Sequence, residues 1–245
     1  TPKLGVLAEE TLKGLCMERN FQFSISDDVL ALGVRGAYLR FRDLANRSGD
    51  ASFDELRDQT IESLLADLNE ASIAADQQLA GFRMLHDRVK RSNKKYVASP
   101  ENLLRLLFER KAMPRVNLLV DIYNLVSLET RLALGAHDLE RVEGNVTLRL
   151  TTGTEAFWPL GTNENKGVGP GEYAYVDDGN EVICRLEVRQ VEKTKVHLST
   201  TDCFFIIQGS PVTTYADLSN ATARLVELTK RFCGGQEELL YIWTG

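Results

Sequence analysis

The residues best suited to hold a ligand sit in segment 116–129 (VNLLVDIYNLVSLE), an apolar run interrupted by Asn117, Asp121 and Asn124. Spaced four and three apart, these polar groups fall within roughly 60° of one another on a helix. The rest of the rod is apolar all round, as a helix buried on every side would be. A buried amide or carboxylate left without partners costs about 1–3 kcal/mol. The seam must therefore face either loop backbone that it ties down or a ligand whose site it floors.

A second polar set interrupts the strands of the C-terminal half: Arg185, Glu187, Arg189 and Gln190, then Thr194, Thr200 and Thr201. Side chains alternate along a strand, so Arg185, Glu187 and Arg189 share a face. Such a ladder is either a surface salt-bridge row or a device for holding the ammonium and carboxyl groups of an amino acid, or a ribose. His137 beside Asp138 is either an oriented base or a chance pair. A third set is basic: Arg83, Arg88, Lys90, Arg91, Lys94 and Lys95, with Asp87 the one acid among them. It reads as a solvated face or as a phosphate-contacting edge in which Lys90, Arg91, Lys94 and Lys95 meet nucleic acid.

Other chemistries are poorly served. The histidines lie far apart, outside any HExxH or CxxC pattern, so no metal is expected. There is no GxSxG, and Cys184 and Cys203 lie in apolar strands, where a thiol is buried and inert. The glycine-rich segment 161–171 lacks the GK[ST] of a phosphate loop and no helix follows it, so no cofactor is expected.

The elements that position these residues are read in order. Leucines in 4–18 suggest a short helix. Phe21, Phe23 and Ile25 alternate as a strand, and Val29 to Phe41 reads as a second, central strand. From Ile61 to His86 apolar residues step by four and three, a helical stripe interrupted near Ala74 and expected to pack on a sheet. Ser99-Pro100-Glu101 starts a helix, with Ser99 as cap and Pro100 in the first turn. After the buried rod, Gly135 suits a helix end. Strands follow at 146–150, 172–176, 182–189, 196–198 and 203–207, with Asp178-Gly179 turning one hairpin. An amphipathic helix from Tyr215 to Phe232 stops at Gly234-Gly235, and 239–243 closes as a strand.

Composition bounds the class. The 245 residues are 43% hydrophobic with a formal net charge of −6, which argues against indiscriminate coating of nucleic acid but leaves room for a local basic patch. Cys16, Cys184, Cys203 and Cys233 are scattered, as reduced thiols of a cytosolic protein are. No apolar run reaches the ~18 residues of a membrane span and no signal-peptide pattern is seen, so the chain is expected to be soluble and cytoplasmic.

Two stretches, "SPENLLRLL…MPRVNLLVDIYNLVSLETRLALGAHDLE" and "EYAYVDDGNEVICRLEVRQ…T", resemble the editing domain of the phenylalanyl-tRNA synthetase β subunit, the B3/4 domain, and more closely its stand-alone relatives. The clear likeness runs from Tyr96 to Gly209. It implies an α/β (mixed α+β) fold with a mixed sheet sandwich, a buried central helix and an N-terminal helical extension. It divides the chain into an extension of strands and a long helix over 1–95 and an editing-domain-like core over 96–245, packed as one compact unit. It also implies hydrolysis of the ester of wrongly charged tRNA, with tRNA as partner through its aminoacylated acceptor end. A pocket for phenylalanine rejects an added hydroxyl by only about a hundredfold in comparable cases, so a second site is needed.

On this likeness Asn124 matches the motif asparagine of the editing pocket, and Asn117 and Asp121 match further motif positions. With Glu187, Arg189 and Thr194 they form the expected substrate-binding set. The chain departs from the synthetases in two places: Gly135 stands where they carry a histidine, and 187–190 has no counterpart of their Gly-Gly-Glu stretch. Two alternatives remain open at this level: a tRNA-binding module without catalysis, and a small-molecule site for an amino acid or related metabolite.

Overall fold

A computed structural model of the chain describes residues 20–245; the helix expected at 4–18 and Cys16 lie outside them. Along the chain come β1 (Phe23–Ile25), α1 (Asp27–Ala31), β2 (Arg35–Arg42), α2 (Ala51–Asp67), α3 (Glu70–Ala75), α4 (Gln77–Arg88), α5 (Ser99–Arg110) and α6 (Leu118–Thr130). Then follow β3 (Ala133–Asp138), β4 (Val146–Leu150), β5 (Tyr173–Asp177), β6 (Val182–Arg185), β7 (Arg189–Gln190), β8 (Cys203–Gly209), α7 (Tyr215–Cys233) and β9 (Gln236–Ile242). The strands form two sheets, in the orders β1-β4-β5-β6-β7 and β3-β8-β2-β9. The second sheet is antiparallel throughout, whereas the first is mixed because β1 runs parallel to β4.

Alternation along the strands sorts the core into layers. Tyr38, Phe204 and Ile206 point between the sheets, meeting Tyr173, Tyr175, Val146 and Leu148. Their neighbours Leu39, Phe41, Phe205 and Ile207 point the other way, onto Leu119, Ile122 and Leu125 of α6 and Leu225 of α7. Gly135 and His137 on β3 and Gln208 on β8 therefore belong to the face between the sheets. The rod is as buried as its apolar periphery demands: from Leu118 to Leu128, Asn124 alone is half-buried rather than buried.

Several expectations are corrected. The stripe from Ile61 to His86 is three helices, because Asn69 and Asp76 cap new starts by accepting from Ser72 N and Leu79 N. Ile61, Ile73 and Leu79 pack on Leu104 and Leu107 of α5, and only the last part of the stripe, with Phe82, joins the core of the sheets as expected. The strand expected from Val29 begins at Arg35, since 27–31 is helical. Gly135 ends no helix; Arg131, at φ 63, closes α6 and the glycine sits inside a strand. Residues 196–198 form no strand. The strand expected over 182–189 breaks at Leu186, whose φ of 53 turns the chain between β6 and β7. Glu187 thereby leaves the ladder with Arg185 and Arg189.

Candidate functional site

A cavity of about 290 Å³ opens where α5, α6, β3, β8 and the β6–β7 turn converge. Leu103 and Leu106 of α5, Leu134 of β3, Ile206 of β8, and Leu186 and Val188 of the turn give it apolar walls. Ser99, Asn102, Asn124, Glu187, Arg189, Gln190 and Gln208 add the polar groups. Helix α5 starts one residue earlier than its Ser-Pro signal suggests, with Ala98 at the cap position, and Ser99 makes no capping bond. Its hydroxyl lines the cavity instead. Asn102 is tied to the Val97 carbonyl (3.0 Å) and Arg189 to the Leu160 carbonyl (2.8 Å). The side chains of Ser99, Asn124 and Gln190 have no hydrogen-bond partner among the described residues.

Glu187, Gln208 and Tyr175 of the lining belong, with His86 and Tyr173 behind them, to a polar layer that is fully paired. Glu187 accepts from His86 Nε2 (2.5 Å) on one oxygen, and from the Tyr173 hydroxyl and Gln208 Nε2 (3.1 Å) on the other. Gln208 accepts in turn from the Tyr175 hydroxyl (2.7 Å), which meets that of Tyr38 (3.2 Å). On the far side of the imidazole, Nδ1 faces the Asn93 side-chain oxygen at 3.1 Å. The Asn93 amide nitrogen is committed to Asp87 and to the Arg83 carbonyl, so its oxygen is the acceptor. Both ring nitrogens thus face acceptors, the arrangement an imidazolium satisfies. Burial pulls the His86 pKa down, but the hydrogen bond and charge of Glu187, with Asn93 and the Tyr96 backbone, outweigh it and leave it above the usual 6.5. Burial also pushes the phenols of Tyr173 and Tyr175 and the thiol of Cys184 far up, so all three stay protonated. The Ser99 amide donates to the Glu187 carbonyl (3.2 Å), fastening the turn to the start of α5.

Of the expected substrate-binding residues, the cavity brings together Asn124, Glu187 and Arg189. Asn117, Asp121 and Thr194 lie outside its lining, each bonded within the fold. Asn117 has extended backbone rather than helical, so the angular seam does not include it. Its oxygen caps α6 by accepting from Val120 N (3.1 Å), and its nitrogen donates to the Val196 carbonyl (3.4 Å). Asp121 accepts from Val116 N and Arg115 Nε, both at 3.0 Å. Thr194 is hydrogen-bonded to Nδ1 of His137 (2.8 Å). Burial pulls the His137 pKa down to about 3, which keeps that ring neutral and unsuited to be a base exposed to substrate.

Lys90, Arg91, Lys94 and Lys95 do not line the cavity; they sit on the connection that runs from His86 to Ser99. Arg91 is ion-paired with Glu172 (2.6 Å), which also holds Arg185, while the three lysines are exposed. Sequence reasoning missed the role of His86, which it placed only at the end of the helical stripe. A titratable residue at a core position of a helix was the available signal.

The profile of the B3/4 domain matches residues 83–234, which takes in α5, α6, the cavity and α7. The chain belongs to the B3/4 domain family. Over 108 residues it is 31% identical to the phenylalanine–tRNA ligase β subunit of Mycoplasma genitalium, a match covering 44% of this chain and 13% of that protein. A solved N-terminal fragment of the phenylalanyl-tRNA synthetase β subunit from Pyrococcus horikoshii is similar at 14% identity and a TM-score of 0.47, covering 90% of this chain and 51% of the fragment. The B3/4 match begins within α4, so the family region includes His86 as well as its partner Glu187.

Proposed function

We propose that the chain is a trans-acting editing factor, working in the cytoplasm, that hydrolyses the ester joining a wrong amino acid to tRNA. The aminoacyl group enters the cavity beside Asn124, and the acceptor end of the tRNA runs along Lys90, Lys94 and Lys95. The observation that carries this reading is a small apolar cavity holding unpaired amides, in a chain of the B3/4 family. At about 290 Å³ it sits at the lower limit of ligand sites, a size that suits an amino acid. The segment from Arg83 to Arg115 carries ten Lys/Arg against three Asp/Glu. Within it, the exposed Lys90, Lys94 and Lys95 have no ion-pair partner among the described residues, as suits a phosphate-contacting edge.

Water adds to the ester carbonyl, the bond to the ribose oxygen breaks, and that oxygen leaves with a proton. Among the described residues, no carboxylate or imidazole at the cavity is free to take the proton from water: both oxygens of Glu187 are occupied and His86 lies behind it. The reaction then depends on positioning the water and on the neighbouring hydroxyl of the ribose. The same occupancy favours a second reading, a tRNA-binding module without catalysis.

A panel of mischarged tRNAs, followed for release of amino acid, decides between them. Editing predicts release from one of them that is absent with the correctly charged tRNA, and tRNA affinity that falls steeply with salt. No release at protein concentrations that saturate tRNA binding would leave only the binding module.

A further inference from the structure

Gln190 enters the cavity from β7 and lies against β3. A Cβ built on Gly135 would stand 2.4 Å from its Nε2, so the carboxamide fills the room a side chain at 135 would need. It has no hydrogen-bond partner among the described residues, and neither has the carboxamide of Asn124. Of the two charged groups at the cavity, Glu187 is matched by His86, whereas Arg189 is exposed and bonded to a carbonyl. The cavity thus offers two neutral amides between apolar walls.

We infer that Gln190, seated on Gly135, selects the ligand's side chain. It favours an uncharged group that donates and accepts hydrogen bonds over an apolar group of the same size, and over a cationic one. This rests on the reading that the cavity takes an aminoacyl group. An apolar side chain there strips water from the Gln190 amide and returns nothing, and sites built to hydrogen-bond a ligand reject such analogues far more strongly than apolar pockets reject an added hydroxyl. A cationic side chain would meet no free carboxylate, because both oxygens of Glu187 are taken.

The test uses amide-linked aminoacyl-adenosine analogues, which cannot be hydrolysed, in near-isosteric pairs: threonine with valine, asparagine with leucine, tyrosine with phenylalanine. Calorimetry should show the wild type binding the polar member of at least one pair about tenfold tighter or more, the size of one good hydrogen bond. In Gln190→Leu that preference should shrink to within about twofold while the apolar member binds as well or better. Gly135→Ala keeps the glutamine but takes its seat, and should lower the preference too. It serves as the second variant if Gln190→Leu does not fold, as judged by thermal unfolding. An unchanged preference in folded Gln190→Leu, or in Gly135→Ala where that alone folds, overturns the inference. So does wild-type binding of all analogues with no polar preference, and either result leaves the editing reading standing. Failure of every analogue to bind the wild type overturns the editing reading and this inference together.

Discussion

Two polar regions meet at the cavity wall and differ in one respect. In one, His86, Glu187, Tyr173, Gln208 and Tyr175 satisfy one another. In the other, the side chains of Ser99, Asn124 and Gln190 have no hydrogen-bond partner among the described residues. Helix α6 repeats the contrast along its own length. Asp121 in its first turn is consumed by Val116 N and Arg115, while Asn124, one turn further, faces the gap beside α5. Residue type does not separate the two kinds. A buried polar group is structural where a loop folds back onto it and is available to a ligand where the fold leaves a gap. Substitutions in the first set should cost stability, and those in the second should cost binding.

The largest effect is expected at His86. His86→Leu leaves Glu187 buried without its counter-charge, and breaking a buried pair in this way costs about 3–5 kcal/mol. The pH dependence sharpens the point. The folded pKa of His86 is raised above 6.5, so the pair's contribution is complete below the unfolded value and is lost as pH rises through the folded one. Denaturant unfolding from pH 6 to 9 should show wild-type stability falling relative to His86→Leu. Parallel curves would mean that His86 is neutral and the pair is no ion pair. His137 has the opposite sign: its pKa of about 3 makes the wild type lose stability as pH falls below the unfolded value near 6.5, and His86→Leu should keep that acid limb.

A smaller loss is expected at Asp121. Burial, the leading influence on its carboxyl, raises the pKa despite the Val116 amide and Arg115. The charge is therefore poorly compensated, and the hydrogen bond to Val116 N is what the fold uses. Asp121→Ala, which orphans that amide, should cost about 2–3 kcal/mol, whereas Asp121→Asn should cost less than about 1 kcal/mol. Equal losses for both would mean that the charge itself matters. Asn117→Ala should cost about 1–2 kcal/mol, the usual worth of a helix cap, with binding of tRNA and analogues unchanged.

What could be read from sequence follows the same division. Periodicity placed the α6 rod, most strands and α7, because burial on one side or all round writes itself into residue spacing. The backbone exceptions were hidden. Leu186 and Arg131 adopt positive φ without being glycine, so nothing local marked the break between β6 and β7 or the end of α6. For the same reason the expected Arg185–Glu187–Arg189 ladder does not exist. The seam failed at Asn117 because a capping residue precedes the helix and does not share its angular repeat. Asn124 and Glu187 were identified as polar groups in buried segments, but their opposite uses depend on His86 and Gln208, which lie 101 and 21 residues from Glu187 in sequence. No spacing rule reaches that far.

The smallest expected effect on stability carries the most weight for function. Asn124 is half-buried, makes no side-chain hydrogen bond among the described residues and sits on a helix, which alanine favours. Asn124→Ala should therefore change unfolding free energy by less than about 0.5 kcal/mol. If the cavity holds the aminoacyl group, the same substitution should abolish release of amino acid from the mischarged tRNA that the wild type discharges, while tRNA binding through the lysines persists. Loss of release with unchanged stability would separate the open set from the closed one in a single protein. Undiminished release would place the chemistry elsewhere and make Asn124 a wall residue. A loss of several kcal/mol would show that its amide is paired within the fold, and would place it in the closed set with His86 and Glu187.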